Sequence, residues 1–138
     1  MNQRLSQLRS KLQRTEEEIR QLLQQFQGRS PLLPASLYTM KRRCGKDSCR
    51  CARGQLHATT VLSYRGGEKP QTITPPADRI ETFKAITDEY RRVRRARARL
   101  VRLQQELLCT VDQMQELRVQ QGERELNRMR SASSRSRR

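Results

Sequence analysis

The chain has 138 residues, of which 33% are hydrophobic and 32% are charged, and it contains no tryptophan. This composition leaves little material for a large globular core, and no apolar run approaches transmembrane length, so we expect an elongated and mainly helical protein. Thirty Lys and Arg residues against 14 Asp and Glu residues give a formal net charge of +16, which favours a polyanionic partner such as nucleic acid.

Residues 1–28 predict the first helix of a coiled coil. Between residues 2 and 27, apolar and small side chains recur at alternating steps of three and four, which is a heptad seam. The seam comprises Leu5, Leu8, Leu12, Thr15, Ile19, Leu22 and Phe26. The apolar stripe is narrow, so this helix needs a partner helix.

Residues 29–75 predict a small zinc-binding β module. Three cysteines and the only histidine follow the pattern Cys44-x4-Cys49-x-Cys51-x5-His57. Thiolates and imidazole are ligands that zinc prefers, and four protein ligands leave no open position for a substrate, so we expect one structural Zn²⁺ ion. The fourth cysteine, Cys109, competes as a ligand, but it lies far along a predicted helix, which favours His57. We expect Cys109 to be a small apolar residue in a helix seam.

Two other interpretations of the cysteines are redox-active thiols and part of a disulfide framework. No apolar segment follows Met1, so we expect no signal peptide and no oxidising compartment, which favours bound metal. We therefore expect a cytoplasmic protein, associated with the nucleoid if it binds DNA.

The module also carries the signal of a β-hairpin. Residues 58–64 and 71–74 are rich in β-formers, and Gly66 and Gly67 lie between them in a turn. Because two or three short strands are marginally stable alone, we expect the metal and the sheet to depend on each other.

Residues 76–121 predict a second, longer helix, which begins after Pro75 and which no proline or glycine interrupts before Gly122. The first helix leads into the module and the second leads away from it, so the expected fold is mainly α. It is an antiparallel long-helix coiled-coil hairpin with the small β-hairpin zinc module inserted at its tip. The predicted apolar positions are Ile80, Phe83, Ile86, Tyr90, Val93, Ala96, Leu100, Leu103, Leu107, Val111, Met114 and Leu117.

The second helix is too long for the first to cover, which indicates a homodimer or a protein partner along the coiled coil. Residues 122–138 form a basic tail that we expect to be disordered. Such a tail adds nonspecific phosphate contacts or is simply solvated.

The candidate nucleic-acid-binding residues form two sets of cations. In the module they are Lys41, Arg42, Arg43, Lys46, Arg50, Arg53 and Arg65. On the second helix they are Arg91, Arg92, Arg94, Arg95, Arg97 and Arg99. This pattern lacks the mixed Asn and Arg residues of a base-reading surface, so we expect recognition of phosphates and shape, with double-stranded DNA as the favoured ligand. Solvated surfaces and an acidic protein partner remain the alternatives, whereas a membrane surface is disfavoured because neither helix has a broad apolar face with aromatic anchors.

One stretch of the sequence carries a wider pattern, which comprises Leu37, Arg42–Lys46, Cys49–Cys51, Gly54, His57 and Leu62–Ser63. Together with the following basic helix, it resembles a family of small uncharacterised bacterial and archaeal proteins whose members look like mobile-element cargo. The family pattern is Gly-Ser-Leu, a basic run, Cys-Gly-Lys-x-x-Cys-x-Cys, then His-Gly-Pro-Tyr and a Leu-Ser strand. Here Ala35 replaces the first glycine and residues 58–60 replace Gly-Pro-Tyr, but all four proposed ligands are kept. The resemblance covers residues 35–105 and implies a transposition-associated DNA-binding accessory.

The charge pattern thus predicts a nucleic-acid-binding accessory protein, and the resemblance implies a role in a transposition or recombination system. The alternative is a coiled-coil adaptor that recruits a recombinase, a transposase or another partner, with zinc purely structural. We expect no enzyme, because the acidic residues are scattered and the sole histidine is committed to zinc. If His57 is not a ligand, the alternative is a three-cysteine metal site whose free coordination position allows catalysis.

Overall fold

The computed structural model describes residues 2–137, and it is mainly helical with one small antiparallel sheet, as predicted. The long elements are α1 (Asn2–Leu23), β1 (Ala35–Arg42), β2 (His57–Tyr64), β3 (Gln71–Ile73) and α2 (Ile80–Ser136). Short 3-10 turns at Gln24–Phe26, Arg50–Arg53 and Ala77–Arg79 complete the order. The chain divides into two compact units: one combines the segment up to Gln27 with α2 from Ala96 onward, and the other is Gly28–Arg95.

The predicted seam of α1 is the face that the structure buries. Leu5, Leu8 and Thr15 are buried, and the other four seam residues are half-buried. Most of the remaining α1 side chains are exposed. The heptad pattern therefore identified the inward face of this helix correctly.

In the same unit, α2 buries Ala96, Leu103, Thr110 and Leu117, which are spaced by seven residues. Two ion pairs link α2 to α1: Arg99 Nη2 lies 2.9 Å from Glu18 Oε2, and Lys11 Nζ lies 3.5 Å from Glu106 Oε1. From the first pair to the second, the residue number rises from 99 to 106 on α2 and falls from 18 to 11 on α1. Two ion pairs thus link the helices, and the buried residues of α2 in this unit repeat every seven positions.

Cys109 and Thr110 are neighbours on α2, and the structure buries the second of them and not the first. Cys109, interpreted as a seam residue, is exposed, whereas Thr110 is fully buried. The Thr110 hydroxyl donates to the carbonyl oxygen of Glu106 at 2.9 Å, so a nominally polar residue is buried with its hydrogen bond satisfied. Thr15 and Thr87 make the same bond to the residue four positions earlier.

The end of α2 differs from the predicted boundary at residue 121. The helix continues through Gly122 to Ser136, so residues 122–136, expected to be disordered, are helical. Glycine ends a helix when it takes a positive φ, and Gly122 does not. Good helix formers follow it, and Arg128 pairs with Glu125 one turn earlier at 2.7 Å.

The sheet has the order β1-β2-β3, with both pairs antiparallel. In β1 and β2, Ala35 pairs with Tyr64 at one end of the ladder and Arg42 with His57 at the other. Val61 and Leu62 are buried, and both lie in the middle strand. A β-carbon at Gly66, just after β2, would overlap the Tyr64 ring, so any other residue at this position requires that ring to move.

No helix within residues 2–137 combines the length and the apolar character needed to cross a membrane.

Candidate metal centre

The β1–β2 ladder brings the ends of the cysteine segment together. β1 ends at Arg42, two residues before Cys44, and β2 begins at His57, the cross-strand partner of Arg42. The 14-residue segment between the strands therefore returns on itself. Cys49 and Cys51 flank the start of the 3-10 turn Arg50–Arg53 within it.

Backbone hydrogen bonds close this segment into tight turns. The Cys49 N–H donates to the Lys46 carbonyl, and the Ala52 N–H donates to the Cys49 carbonyl, both at 3.1 Å. Gly54 has φ of +100° and caps the 3-10 turn, while Gly45 has φ of +79° beside the first cysteine. Other residues rarely adopt these angles, so the two glycines permit the loop to present its cysteines inward.

All four predicted ligands lie together. Their ligand atoms fall within 4.8 Å of one another. Cys44 Sγ is 3.4 Å from Cys51 Sγ, and Cys49 Sγ is 3.0 Å from His57 Nε2. Cys51 is buried, Cys49 is half-buried, and Cys44 and His57 are exposed. The four residues are therefore close enough to bind one metal ion.

The donor set also fits the size of a tetrahedral site. With Zn–S near 2.3 Å and Zn–N near 2.0 Å, ligand atoms around zinc lie about 3.5 to 3.8 Å apart. The measured separations of 3.0 and 3.4 Å and the 4.8 Å limit bracket this range. Three thiolates and one imidazole are soft and borderline donors, a chemistry suited to zinc rather than to magnesium or calcium.

The thiols perturb each other's ionisation. The pKa of Cys51 is lowered to about 7, mainly because its sulfur accepts the Cys44 backbone N–H at 3.2 Å. Burial raises this pKa, but hydrogen bonds from the Cys44 and Cys49 thiols and from His57 lower it further. For Cys44, the Lys46 N–H lowers the pKa, but the Cys51 and Cys49 thiols together with burial outweigh it, so the net shift is upward. Cys51 is thus the thiol poised to be a thiolate near neutral pH, the form that binds metals.

The predicted cations of the module surround this cluster in sequence and face the solvent. The structure places Lys41, Arg42, Arg43, Lys46, Arg50, Arg53 and Arg65 in the exposed class. Within residues 2–137, none of these seven forms an ion pair.

The predicted cations of α2 are more often neutralised. Arg91 pairs with Asp88, Arg92 with Glu89, and Arg99 with Glu18. Arg92 and Glu89 form a bidentate contact whose first bond is 2.8 Å, and the Arg92 guanidinium lowers the pKa of the Glu89 carboxyl. The other three, Arg94, Arg95 and Arg97, are exposed.

Sequence reasoning missed Ser36, Ser63 and Tyr90, which line a pocket together with Arg65 and Arg91. Arg65 and Arg91 come from the two separate cation sets, and the structure brings them to one place. The serines form a cross-strand pair, so a correct register for the two strands would have placed them side by side. No local signal links either serine to Tyr90 on α2.

Part of the chain matches a known protein family. A family described as a domain of unknown function, DUF6788, matches residues 4–85. The match begins in α1, which the sequence resemblance left outside, and it contains all four clustered ligands. Comparisons with curated proteins and with solved structures find no significant match.

Proposed function

The chain belongs to the DUF6788 family, and we propose that it is a nucleic-acid-binding accessory protein whose ligand is double-stranded DNA. On the strength of the resemblance noted in the sequence, we propose that this role belongs to a transposition or recombination system. The protein contacts phosphates through the cations of the cysteine loop and the arginines of α2. The proposal assigns no catalytic step to the chain.

The metal in this proposal is one structural zinc ion held by Cys44, Cys49, Cys51 and His57. When bound, the ion links the loop after β1 to the first residue of β2 and supplies folding free energy to a module with a small core. Four protein ligands complete a tetrahedral shell, which leaves the ion no position for a substrate.

The observation that carries the proposal is the state of the loop cations. Six basic side chains stand exposed on or next to a turn held by four converging ligands, and Arg65 is exposed at the other end of the sheet; none of the seven has an ion pair in the described part of the chain. Cations on a preorganised loop lose little conformational entropy when they bind a phosphate backbone, and each contact releases counterions. An excess of unpaired charge of one sign is costly to maintain, and a polyanion offsets it.

We further propose that α1 and the facing part of α2 form an antiparallel coiled coil. The opposite progression of the Glu18–Arg99 and Lys11–Glu106 pairs supports this arrangement, and so do the buried residues of the two helices at heptad spacing.

An adaptor function is the second candidate, and one observation favours it. Several large apolar side chains of α2 are exposed, among them Leu108 at 62%, Val119 at 51%, Leu126 at 43% and Met129 at 65%. A helix with such residues can contact a second chain, which would be a recombinase, a transposase or another copy of this protein.

Binding to duplex and single-stranded probes over a salt series tests the first function. If about six phosphates are contacted, affinity should fall about 10³-fold between 50 and 200 mM salt. A binding curve that is flat over this range contradicts phosphate recognition.

Charge reversal separates the two functions. Exchange of Arg91, Arg92, Arg94 and Arg95 for Glu should abolish DNA retention and leave binding of a protein partner intact. Replacement of Leu126 and Met129 by Ser is the matched variant, and it should leave DNA binding unchanged. If charge reversal instead leaves DNA retention intact and abolishes binding of a protein partner, the result favours the adaptor function.

A further inference from the structure

A pocket of about 410 Å³ lies in the Gly28–Arg95 unit, where the sheet meets the first part of α2. Its polar lining consists of Ser36, Ser63, Arg65, Tyr90 and Arg91. We propose that this pocket holds one phosphodiester group of a nucleic-acid backbone. The inference rests on the proposed function and names the place where the two cation sets act on a single phosphate.

The sheet builds one wall of the pocket. Ser36 of β1 and Ser63 of β2 are directly paired across the ladder, so their side chains share a face. Arg65 lies two positions after Ser63, just past the end of β2, and it lines the same pocket. Three polar side chains therefore line the pocket at the end of the sheet that lies opposite the Arg42–His57 pair.

Helix α2 builds the other wall, and hydrogen bonds fix it against the start of β1. The Leu33 N–H donates to the Ile86 carbonyl at 3.3 Å, and the Ala35 N–H donates to the Leu33 carbonyl at 2.8 Å. Tyr90 and Arg91 lie one turn further along α2 from Ile86. Residues from three separate segments therefore meet in a defined geometry rather than on a mobile surface.

The chemistry of the lining matches a phosphate. Two guanidinium groups and three hydroxyl groups offer hydrogen-bond donors, and no Asp or Glu lines the pocket. Its apolar lining is Pro34, Ala35 and the ring of Tyr90. Two guanidinium groups at one small pocket suit the free oxygens of a phosphodiester, so the site fits the backbone.

The two arginines are available to an anion. Arg65 is exposed and has no ion-pair partner within residues 2–137. Arg91 is 3.5 Å from Asp88, but both side chains of that pair are about half exposed, at 47% and 53%. Exposed pairs of this kind contribute roughly 0–1 kcal/mol, so a phosphate held by two guanidinium groups can replace the Asp88 contact.

A double-mutant cycle on DNA binding tests the pocket. Arg65→Gln and Arg91→Gln should each weaken binding of a duplex about tenfold at moderate salt. If both side chains hold one phosphate, the double variant should lose much less than the product of the single losses. The slope of log affinity against log salt concentration should be smaller in magnitude than that of the unsubstituted protein by about one, the value for one phosphate, and not by two.

Two further variants keep the test decisive. Arg79→Gln removes an exposed arginine of the same unit that does not line the pocket, so its effect should combine additively with Arg65→Gln. Tyr90→Phe keeps the ring and removes only the hydroxyl, so it should fold normally and still weaken binding several-fold.

The outcomes separate this inference from the function on which it rests. If the unsubstituted protein binds DNA, but the Arg65 and Arg91 losses are additive and the slope falls by two, the pocket is wrong and the function stands. The pocket is also wrong, and the function stands, if Tyr90→Phe and both single arginine variants bind DNA with unchanged affinity. If the unsubstituted protein binds neither duplex nor single-stranded DNA, both are wrong.

Discussion

Cys51 is the most enclosed of the four clustered ligands, with 1% of its surface exposed. Its sulfur accepts the Cys44 N–H and lies 3.4 Å from the Cys44 sulfur. A serine in its place keeps the size of the side chain but offers zinc a poor ligand. The consequence of that exchange depends on whether the cluster holds a metal.

Cys51→Ser should lower the zinc content of the purified protein from one ion per chain towards zero, as measured by elemental analysis. Because the bound metal supplies roughly 10 to 16 kcal/mol of apparent binding free energy in small zinc modules, the strands should lose their order with it. Cys109→Ser is the matched control, since Cys109 is exposed and lies outside the cluster. Full zinc content in Cys51→Ser would refute the assignment.

A second pair of residues sets a pH dependence that is separate from the metal. Arg92 lowers the pKa of Glu89 by its hydrogen bond, and the Glu89 side chain is only 23% exposed. A carboxyl whose pKa is lower in the folded state stabilises the fold above its unfolded pKa of about 4.3. That contribution is lost as the pH falls through the folded value.

Arg92→Gln should raise the pKa of Glu89 and reduce the acid sensitivity of stability that this carboxyl causes. A carbon NMR titration of the Glu89 carboxyl measures the first effect directly. Arg94→Gln serves as control, because Arg94 is exposed and makes no ion pair in the described chain. Equal Glu89 titration curves in both variants would show that the Arg92 contact is not formed in solution.

At the level of elements, the two helices show what a sequence pattern can and cannot predict. The α1 seam was predictable because its apolar residues recur with the helical period and a single face is buried. Thr110 and Thr87 were missed in α2 because a hydroxyl counts as polar until its bond to the carbonyl four residues earlier is known. Cys109 and Thr110 are neighbours, so a shift of one position decides which of them is buried.

The functional residues also include some that the sequence predicts and some that it does not. The four candidate metal ligands lie within 14 residues, and their chemistry identifies them as candidates without a structure. The pocket residues Ser36 and Tyr90 are separated by more than 50 positions, and no local pattern joins them. Their proximity depends on strand register and on how α2 lies against β1, neither of which a hydrophobic period determines.

Two glycines of this chain should respond to alanine in opposite ways. Gly122 has no positive φ and lies inside α2 with open space around it, so Gly122→Ala should stabilise the protein by about 0.5–1 kcal/mol. Gly54 also has open space, but its φ is +100°, so Gly54→Ala should destabilise by about 1–2 kcal/mol. Urea unfolding measures both. Changes of the same sign would contradict the backbone angles described for one of them.

At the level of the whole molecule, the two units are stabilised in different ways. The unit that combines α1 with α2 from Ala96 onward buries a repeating stripe along its helices. The Gly28–Arg95 unit has a core of only a few buried side chains, chiefly Ala35, Cys51, Val61 and Leu62. Cys51 belongs both to this core and to the candidate ligand cluster, so a metal bound by the cluster would be coupled directly to the packing of the sheet.

Removal of the metal should therefore act on one unit first. After chelation, backbone amides of β1 and β2 should lose hydrogen-exchange protection, while those of α1 should keep theirs because helix pairing does not use the cluster. Exchange measured by mass spectrometry with and without chelator would show the difference, and added zinc should restore it. A uniform loss of protection along the chain would mean that the helical unit also depends on the metal. Unchanged protection in β1 and β2 would mean that the packing of the sheet is sufficient for its stability.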